Sequence, residues 1–318
     1  MPRQPATQTG SRERAPAVVF IAGSGRSGST LLERTLGEMP GFVNVGELID
    51  LFRREASRAE RCGCGRQFAD CPFWAGVGER AFAGWTDPLL ADVHPLQRRV
   101  AQQRYLPRLL LMPLAGRAFR ADVATYGACY ASVYRAIAAE AGAPCVVDAS
   151  KWPVQALALH RGGIDVRVIH LVRDVRGVAH SLTKRAKKPA ATAARWVSYQ
   201  GQAGLLGRCG VPVTRMRYED FVSQPRHAVE TALTELGLPY RPAHLDHIGD
   251  VHVTLSASHG IHGNPSRFGS GEVTLRADES WRDRMSRPNR ILVTAIGLPL
   301  LLRYGWRPRW GRRPGGRA

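Results

Sequence analysis

A chain of 318 residues that is 44% hydrophobic can bury a substantial core, which excludes a disordered polyelectrolyte despite a formal charge of +19. Lysine occurs at 151, 184, 187 and 188 alone, so 41 of the 45 basic residues are arginines, a bias that fits a GC-rich genome as well as anionic ligands. No helix-turn-helix, zinc-finger or RNA-binding motif accompanies the charge, so no specific nucleic-acid partner is expected.

In chain order, residues 1–16 are polar and read as a flexible tail. Val18 to Ala22 is a short apolar run suited to a buried parallel strand, and Ser29 to 38 resumes as a helix. Residues 42–47 predict a short strand or extended segment ending at Glu47. Helices are expected over 48–60 and much of 96–141, the latter broken by Pro107 and Pro113. A strand at 145–148 precedes a loop with Lys151, and a helix follows over about 153–161. A strand over 166–172 leads into a helix over 175–185. A further strand is expected at 211–216 and a helix at 226–236, ending before Gly237. Strands alternating with helices imply βαβ units, hence an α/β fold with a doubly wound parallel sheet. Ile291–Leu302 is apolar but shorter than the roughly 18–20 residues of a membrane span and contains Pro299. It reads as a core helix, with peripheral membrane contact as the alternative. The N-terminus has no apolar signal region, so a cytoplasmic location is expected. No Ser/Pro-rich linker interrupts 17–306, which reads as one domain, and the basic 307–318 reads as a second tail.

The most informative stretch is GSGRSGSTLL, from Gly23 to Leu32. A strand, a Gly/Ser-rich turn and a helix N-terminus make an anion site, because backbone N–H groups and the positive end of the helix dipole converge on the turn. Gly23 and Gly28 have the glycine spacing of a nucleoside-triphosphate loop, but Ser29 stands where that loop carries lysine, followed by Thr30. Arg26 lies inside the loop instead, and its planar fork suits a tetrahedral oxyanion. Ser27, Gly28, Ser29 and Thr30 offer further N–H and O–H donors. Arg26, Glu47, Ser150, Lys151 and Arg173 all fall at or just after predicted strand ends, where ligands bind in such sheets.

With these residues in view, GSGRSGSTLL resembles the 5′-phosphosulfate loop of sulfotransferases, whose donor is 3′-phosphoadenosine-5′-phosphosulfate (PAPS). Val166–Leu182, VRVIHLVRDVRGVAHSL, resembles the family's 3′-phosphate segment, with Arg173 and Ser181 eight residues apart. VVDASKWP (146–153) resembles a family loop carrying a lysine, RYEDFVSQP (217–225) its Y-E-D segment, and HGNPSRF (262–268) a late G-N-P-x-R segment of bacterial and carbohydrate-type members. The resemblance implies a P-loop-like fold, with a helical and loop insertion on the acceptor side and no nucleotide-bound magnesium. It also implies sulfuryl transfer to a hydroxyl or amine of a small-molecule, carbohydrate or lipid acceptor, with adenosine 3′,5′-bisphosphate as product. Arg26 and Lys151 are the candidate charge-stabilising groups. Glu47, in G-E-L 21 residues after Arg26, resembles the catalytic glutamate of tyrosylprotein sulfotransferases and their bacterial relatives rather than the cytosolic aryl type. Arg173, Ser181 and Arg267 are candidates for the 3′-phosphate and Tyr218 for the adenine. His94 and His262 are the other candidate bases. Residues 53–125 and 183–200 are expected to shape the acceptor pocket. A P-loop kinase or NTPase, and a non-catalytic polyanion-binding protein, are the alternative readings.

Cys62–Trp74, CGCGRQFADCPFW, holds three of the six cysteines. A structural zinc takes four ligands, and no fourth Cys or His is close in sequence, His94 being the nearest downstream. The segment therefore reads as a compact loop of reduced structural cysteines, with no metal expected in that reading and with a metal site or a redox disulfide as the alternatives.

Overall fold

The computed structural model describes residues 15–53, 60–85, 87–183 and 185–306. The expected tails therefore lie almost wholly outside the described residues. Five strands form a parallel sheet: β1 (Ala17–Gly23), β2 (Phe42–Asn44), β3 (Cys145–Lys151), β4 (Val166–Val172) and β5 (Val213–Arg217), in the spatial order β2-β3-β1-β4-β5. The central strand β1 is buried on both faces, which is why its sequence is continuously apolar. Val18, Phe20 and Ala22 point into one cluster, and Val19 and Ile21 into the other.

Helices cover both faces, as expected of a doubly wound α/β fold. Ser29–Gly37 (α1) follows the glycine loop and places Leu32 and Leu36 on the second cluster. On the opposite face lie Pro72–Phe82 (α2), Asp87–Val100 (α3), Arg117–Ala141 (α4) and Pro153–Arg161 (α5). The long α4 lays Tyr126, Tyr130 and Tyr134 along the sheet at i, i+4 spacing, all essentially buried. Val175–Thr183 (α6) and Pro189–Ala203 (α7) follow β4, and Pro225–Glu235 (α8) packs on β5. A separate antiparallel hairpin pairs β6 (His252–Leu255) with β7 (Gly271–Thr274).

The helix expected over 48–60 is not found in the described part of that stretch. Leu48–Asp50 is one 3-10 turn, and residues 54–59 lie outside the described residues. Three long-range side chains hold the backbone here, and two of them take carbonyls that a helix would use. Ile49 N–H donates to Ser150 Oγ, the Tyr130 hydroxyl donates to the Leu48 carbonyl, and Gln97 Nε2 donates to the Ile49 carbonyl. The breaks at Pro107 and Pro113 stand: α3 ends at Val100, and two short turns precede α4. The apolar C-terminal stretch lies in Arg287–Arg303 (α9), which buries Val293, Gly297 and Leu301 and packs on α7. It leaves Ile291, Leu292 and Leu302 about half exposed. Among the described residues no helix is long and apolar enough to cross a membrane.

Candidate active site

The parallel strands end on one side, and the loops leaving β1, β2, β3 and β4, with Tyr218 directly after β5, line a cleft of about 430 Å³. Arg26, Lys151, Arg173 and Arg185 line it, against two carboxylates, Glu47 and Asp278. Four cations against two anions make a site for a ligand carrying several negative charges.

The glycine loop enters α1 through Gly28, which lines the cleft and whose φ of 90° lies in the left-handed region. A Cβ there would stand 2.6 Å from Cδ2 of the Tyr218 ring, so only glycine allows the loop to rest on that tyrosine. Ser29 and Thr30 occupy the first turn of α1 and line the cleft, where their N–H groups have no partner within the helix. Arg26 holds a left-handed φ of 68°, and its Nε donates to Ser181 Oγ at 3.0 Å. Burial pulls its guanidinium below the usual arginine range, with the nearby cations Arg185 and Arg173 acting in the same direction. Ser27 is buried, and its hydroxyl has no hydrogen-bond partner among the described residues.

Arg173, at the end of β4, is fixed from three sides. It donates to the Arg26 carbonyl and to the Asp278 carbonyl, each at 2.9 Å, and its guanidinium lies 4.5 Å above the Tyr218 ring. Arg26, Ser181, Arg173 and Tyr218 therefore form one connected group, although 155 positions separate Arg26 from Ser181.

On the opposite wall Lys151 ends β3 with a φ of 70°, donates to the Ala149 carbonyl at 3.1 Å, and makes an ion pair with Glu47. Glu47 is placed by its backbone. Its N–H donates to the Ile261 carbonyl at 2.9 Å, and Ile261 N–H donates to the Val45 carbonyl at 3.0 Å, so residues 45–47 clasp the returning chain. Behind this pair lie two buried carboxyls. Burial pushes Asp148 up to about 6, although Tyr134 and Ser150 both donate to it. Burial pushes Glu33, in α1, up to about 8, with nearby Lys151 opposing the rise, and its Oε2 has no hydrogen-bond partner.

The remaining sequence candidates separate. Arg267 does not line the cleft; it is buried against Glu60 in an ion pair, its planar face over Phe268. His262 Nδ1 meets the same Glu60 at 3.1 Å, while His94 is absent from the cleft wall. The structure adds Arg185, Asn264, Ser266 and Asp278 to the wall. No periodicity marks these four: Arg185 lies in the turn that follows α6, and the other three arrive because the 256–281 segment folds across the strand ends. Arg34 of α1 anchors it by donating to the carbonyls of Ser256 and Ser266 at 2.8 and 3.0 Å.

No protein-family model and no curated protein matches the chain. Among solved structures it is similar to the sulfotransferase domain of the Synechococcus PCC 7002 olefin synthase, at 21% identity over 91% of this chain and 96% of that one, with a TM-score of 0.49. It is similar to the sulfotransferase domain of the curacin biosynthetic pathway, at 19% identity over 90% and 97% of the two chains, with a TM-score of 0.48. A Mycobacterium avium sulfotransferase matches at 12% identity over 92% and 78%, with a TM-score of 0.46.

Proposed function

We propose that the protein is a sulfotransferase that takes PAPS as donor and passes its sulfuryl group to a hydroxyl or amine. The observation that carries this reading is the joined group of Arg26, Ser181, Arg173 and Tyr218 at one end of the cleft, with the Lys151–Glu47 pair on its other wall. That spacing offers separate places for a terminal phosphate and for a reacting oxyanion. The donor set fits a phosphosulfate: a helix N-terminus, an arginine within the loop, and a buried Ser27 hydroxyl that lacks a partner.

In this reading Ser29, Thr30 and Arg26 bind the 5′-phosphosulfate, and Arg173 and Ser181 bind the 3′-phosphate. Tyr218, packed beneath the loop and Arg173 on the cleft wall, is the candidate neighbour of the adenine. Transfer is an in-line displacement. The acceptor oxygen forms a bond to sulfur, the bond from sulfur to the bridging phosphate oxygen breaks, and the acceptor proton passes to Glu47. Lys151 and Arg26 neutralise the charge that grows on the bridging and sulfuryl oxygens. A second cleft lies beside Lys151, walled by Gln102, Arg104, Trp152, Arg195 and Tyr199. Apart from Trp152, its residues fall in the two stretches expected to shape the acceptor pocket, and its aromatic walls suit a small organic acceptor.

The test is a thermal-shift titration followed by transfer of labelled sulfuryl from PAPS to a panel of hydroxylated acceptors. Adenosine 3′,5′-bisphosphate should stabilise the protein well beyond AMP or ATP with magnesium. Equal shifts from AMP and the bisphosphate overturn the reading.

A further inference from the structure

Outside the cleft, four groups that bind soft metals meet at one point. Cys62, Cys64, Cys71 and His259 bring Sγ, Sγ, Sγ and Nδ1 within 4.8 Å of one another. The sequence offered three of these; the fourth comes from the far end of the chain, which corrects the expectation that no further ligand is at hand. Cys71 Sγ lies 3.6 Å from Cys62 Sγ and 3.7 Å from Cys64 Sγ, and His259 Nδ1 lies 3.5 Å from Cys62 Sγ and 3.4 Å from Cys71 Sγ. A tetrahedral zinc with Zn–S of about 2.3 Å and Zn–N of about 2.0–2.1 Å has S···S edges near 3.8 Å and S···N edges near 3.5 Å. The separations match those edges and are far beyond the roughly 2.05 Å of a disulfide.

The surroundings hold this arrangement. Cys62 N–H donates to the Arg66 carbonyl and Gly65 N–H to the Cys62 carbonyl, closing a tight turn that presents Cys62 and Cys64 on one side. At Gly63 a Cβ would stand 2.6 Å from the Ser258 carbonyl, so glycine lets this turn press on the extended segment bearing His259. The His259 ring stacks on Phe73 at 4.5 Å, 8° from parallel, and Trp74 Nε1 donates to the His259 carbonyl at 2.9 Å. Cys62 and Cys71 are fully buried. Thiols are weak hydrogen-bonding groups, and three of them around an imidazole nitrogen gain little from one another unless a cation joins them.

We propose that Cys62, Cys64, Cys71 and His259 bind one zinc ion. Thiolate and imidazole donors select zinc among the common biological divalent ions, and four protein ligands make a closed structural site with no position for substrate. The role follows from the backbone beyond His259. Gly63 N–H donates to the Gly260 carbonyl, Ile261 pairs with Val45 and Glu47, and Gly263 passes over the Glu47 carboxylate. The ion fixes residue 259 and, through the next four residues, the platform on which Glu47 stands. This assignment is independent of the sulfotransferase reading and survives its failure.

The experiment is elemental analysis of the full chain purified under reducing conditions without added metal. About one zinc per chain is expected. Cys71→Ser and His259→Ala should lose it, and Cys129→Ser, a cysteine outside the cluster, should keep it. Where a variant fails to fold, the wild-type chain decides. Titrating its thiols with an organomercurial should release the zinc stoichiometrically to a colorimetric chelator. Replacement by cobalt should give the intense thiolate-to-metal charge-transfer absorption of a Cys3His site. A metal-free wild-type protein whose melting temperature ignores added zinc overturns the proposal. So does a native disulfide between two of the three cysteines in the intact-mass spectrum.

Discussion

Lys151 and Glu47 are ion-paired across the strand ends of β3 and β2, so the candidate acid stabiliser and the candidate base hold each other. An arriving oxyanion competes with Glu47 for the lysine ammonium. In the proposed reaction the pair would separate as the donor binds, leaving the carboxylate to the acceptor proton. Glu47→Gln should lower kcat by about 10²–10⁴-fold while bisphosphate affinity stays nearly intact. Lys151→Ala should lower kcat as well, and the double variant should be little worse than the poorer single, because both act on one step. Steady-state rates and bisphosphate titrations of the three proteins check this. Strict additivity would show that the two residues act separately.

Arg173 joins the Arg26 backbone, Asp278 and the Tyr218 ring, so its loss should be felt as lost donor discrimination. A charge-assisted hydrogen bond contributes about 1.5–3 kcal/mol, so Arg173→Ala should weaken bisphosphate binding by about 10–100-fold and AMP binding far less. Calorimetric titration of both ligands measures the difference. A uniform loss for the two would place Arg173 in support of the loop alone.

Both carboxylates on the cleft wall are already engaged by cations, Glu47 by Lys151 and Asp278 by Arg173. In the proposed reaction charge neutralisation would fall to arginine and lysine, where a kinase uses magnesium. Transfer rates in magnesium-free buffer should match those with magnesium added. An absolute requirement for magnesium would favour nucleoside-triphosphate chemistry.

Glu33 gives the fold a pH signature. Its buried carboxyl titrates at about 8, against 4.5 for an unperturbed glutamate, so folding takes up a proton between those values. The stabilisation from keeping it neutral is full below about 4.5 and is lost as pH rises through about 8. Glu33→Gln mimics the neutral form. Urea melts should show variant and wild type close at acid pH and the wild type less stable at alkaline pH, by up to several kcal/mol at about 1.4 kcal/mol per pKa unit. Parallel curves across the range would mean that folding leaves the Glu33 carboxyl unshifted.

The strand-and-loop part of this site was legible in the sequence because its signals are local. Val18 to Ala22 and Val166 to Val172 are continuous apolar runs, and Arg26, Lys151 and Arg173 sit within a few residues of their ends. Residues that reach the cleft through tertiary return were not legible. Asp278, Asn264 and Ser266 lie in a segment without periodicity, and Arg267, singled out by a motif, is taken up by Glu60. The 48–60 stretch has helical composition, yet Ser150, Tyr130 and Gln97 capture its backbone from far away. His259 escaped notice for the same reason: spacing reveals a ligand set only when the chain does not have to cross the fold to complete it.

The clasp of residues 45–47 on Ile261 also sets an order of events during synthesis. Glu47 leaves the ribosome early, but the carbonyl that receives its N–H follows more than two hundred residues later. At about 5–20 residues per second that interval is roughly 10–40 s. Within it β1 gains its neighbours β3 and β4, and the glycine loop gains Ser181 and Tyr218, while the platform under Glu47 still waits for Ile261. A nascent chain can thus complete its anion-binding turn before it holds a positioned carboxylate, and the candidate base is placed only with the last quarter of the polypeptide.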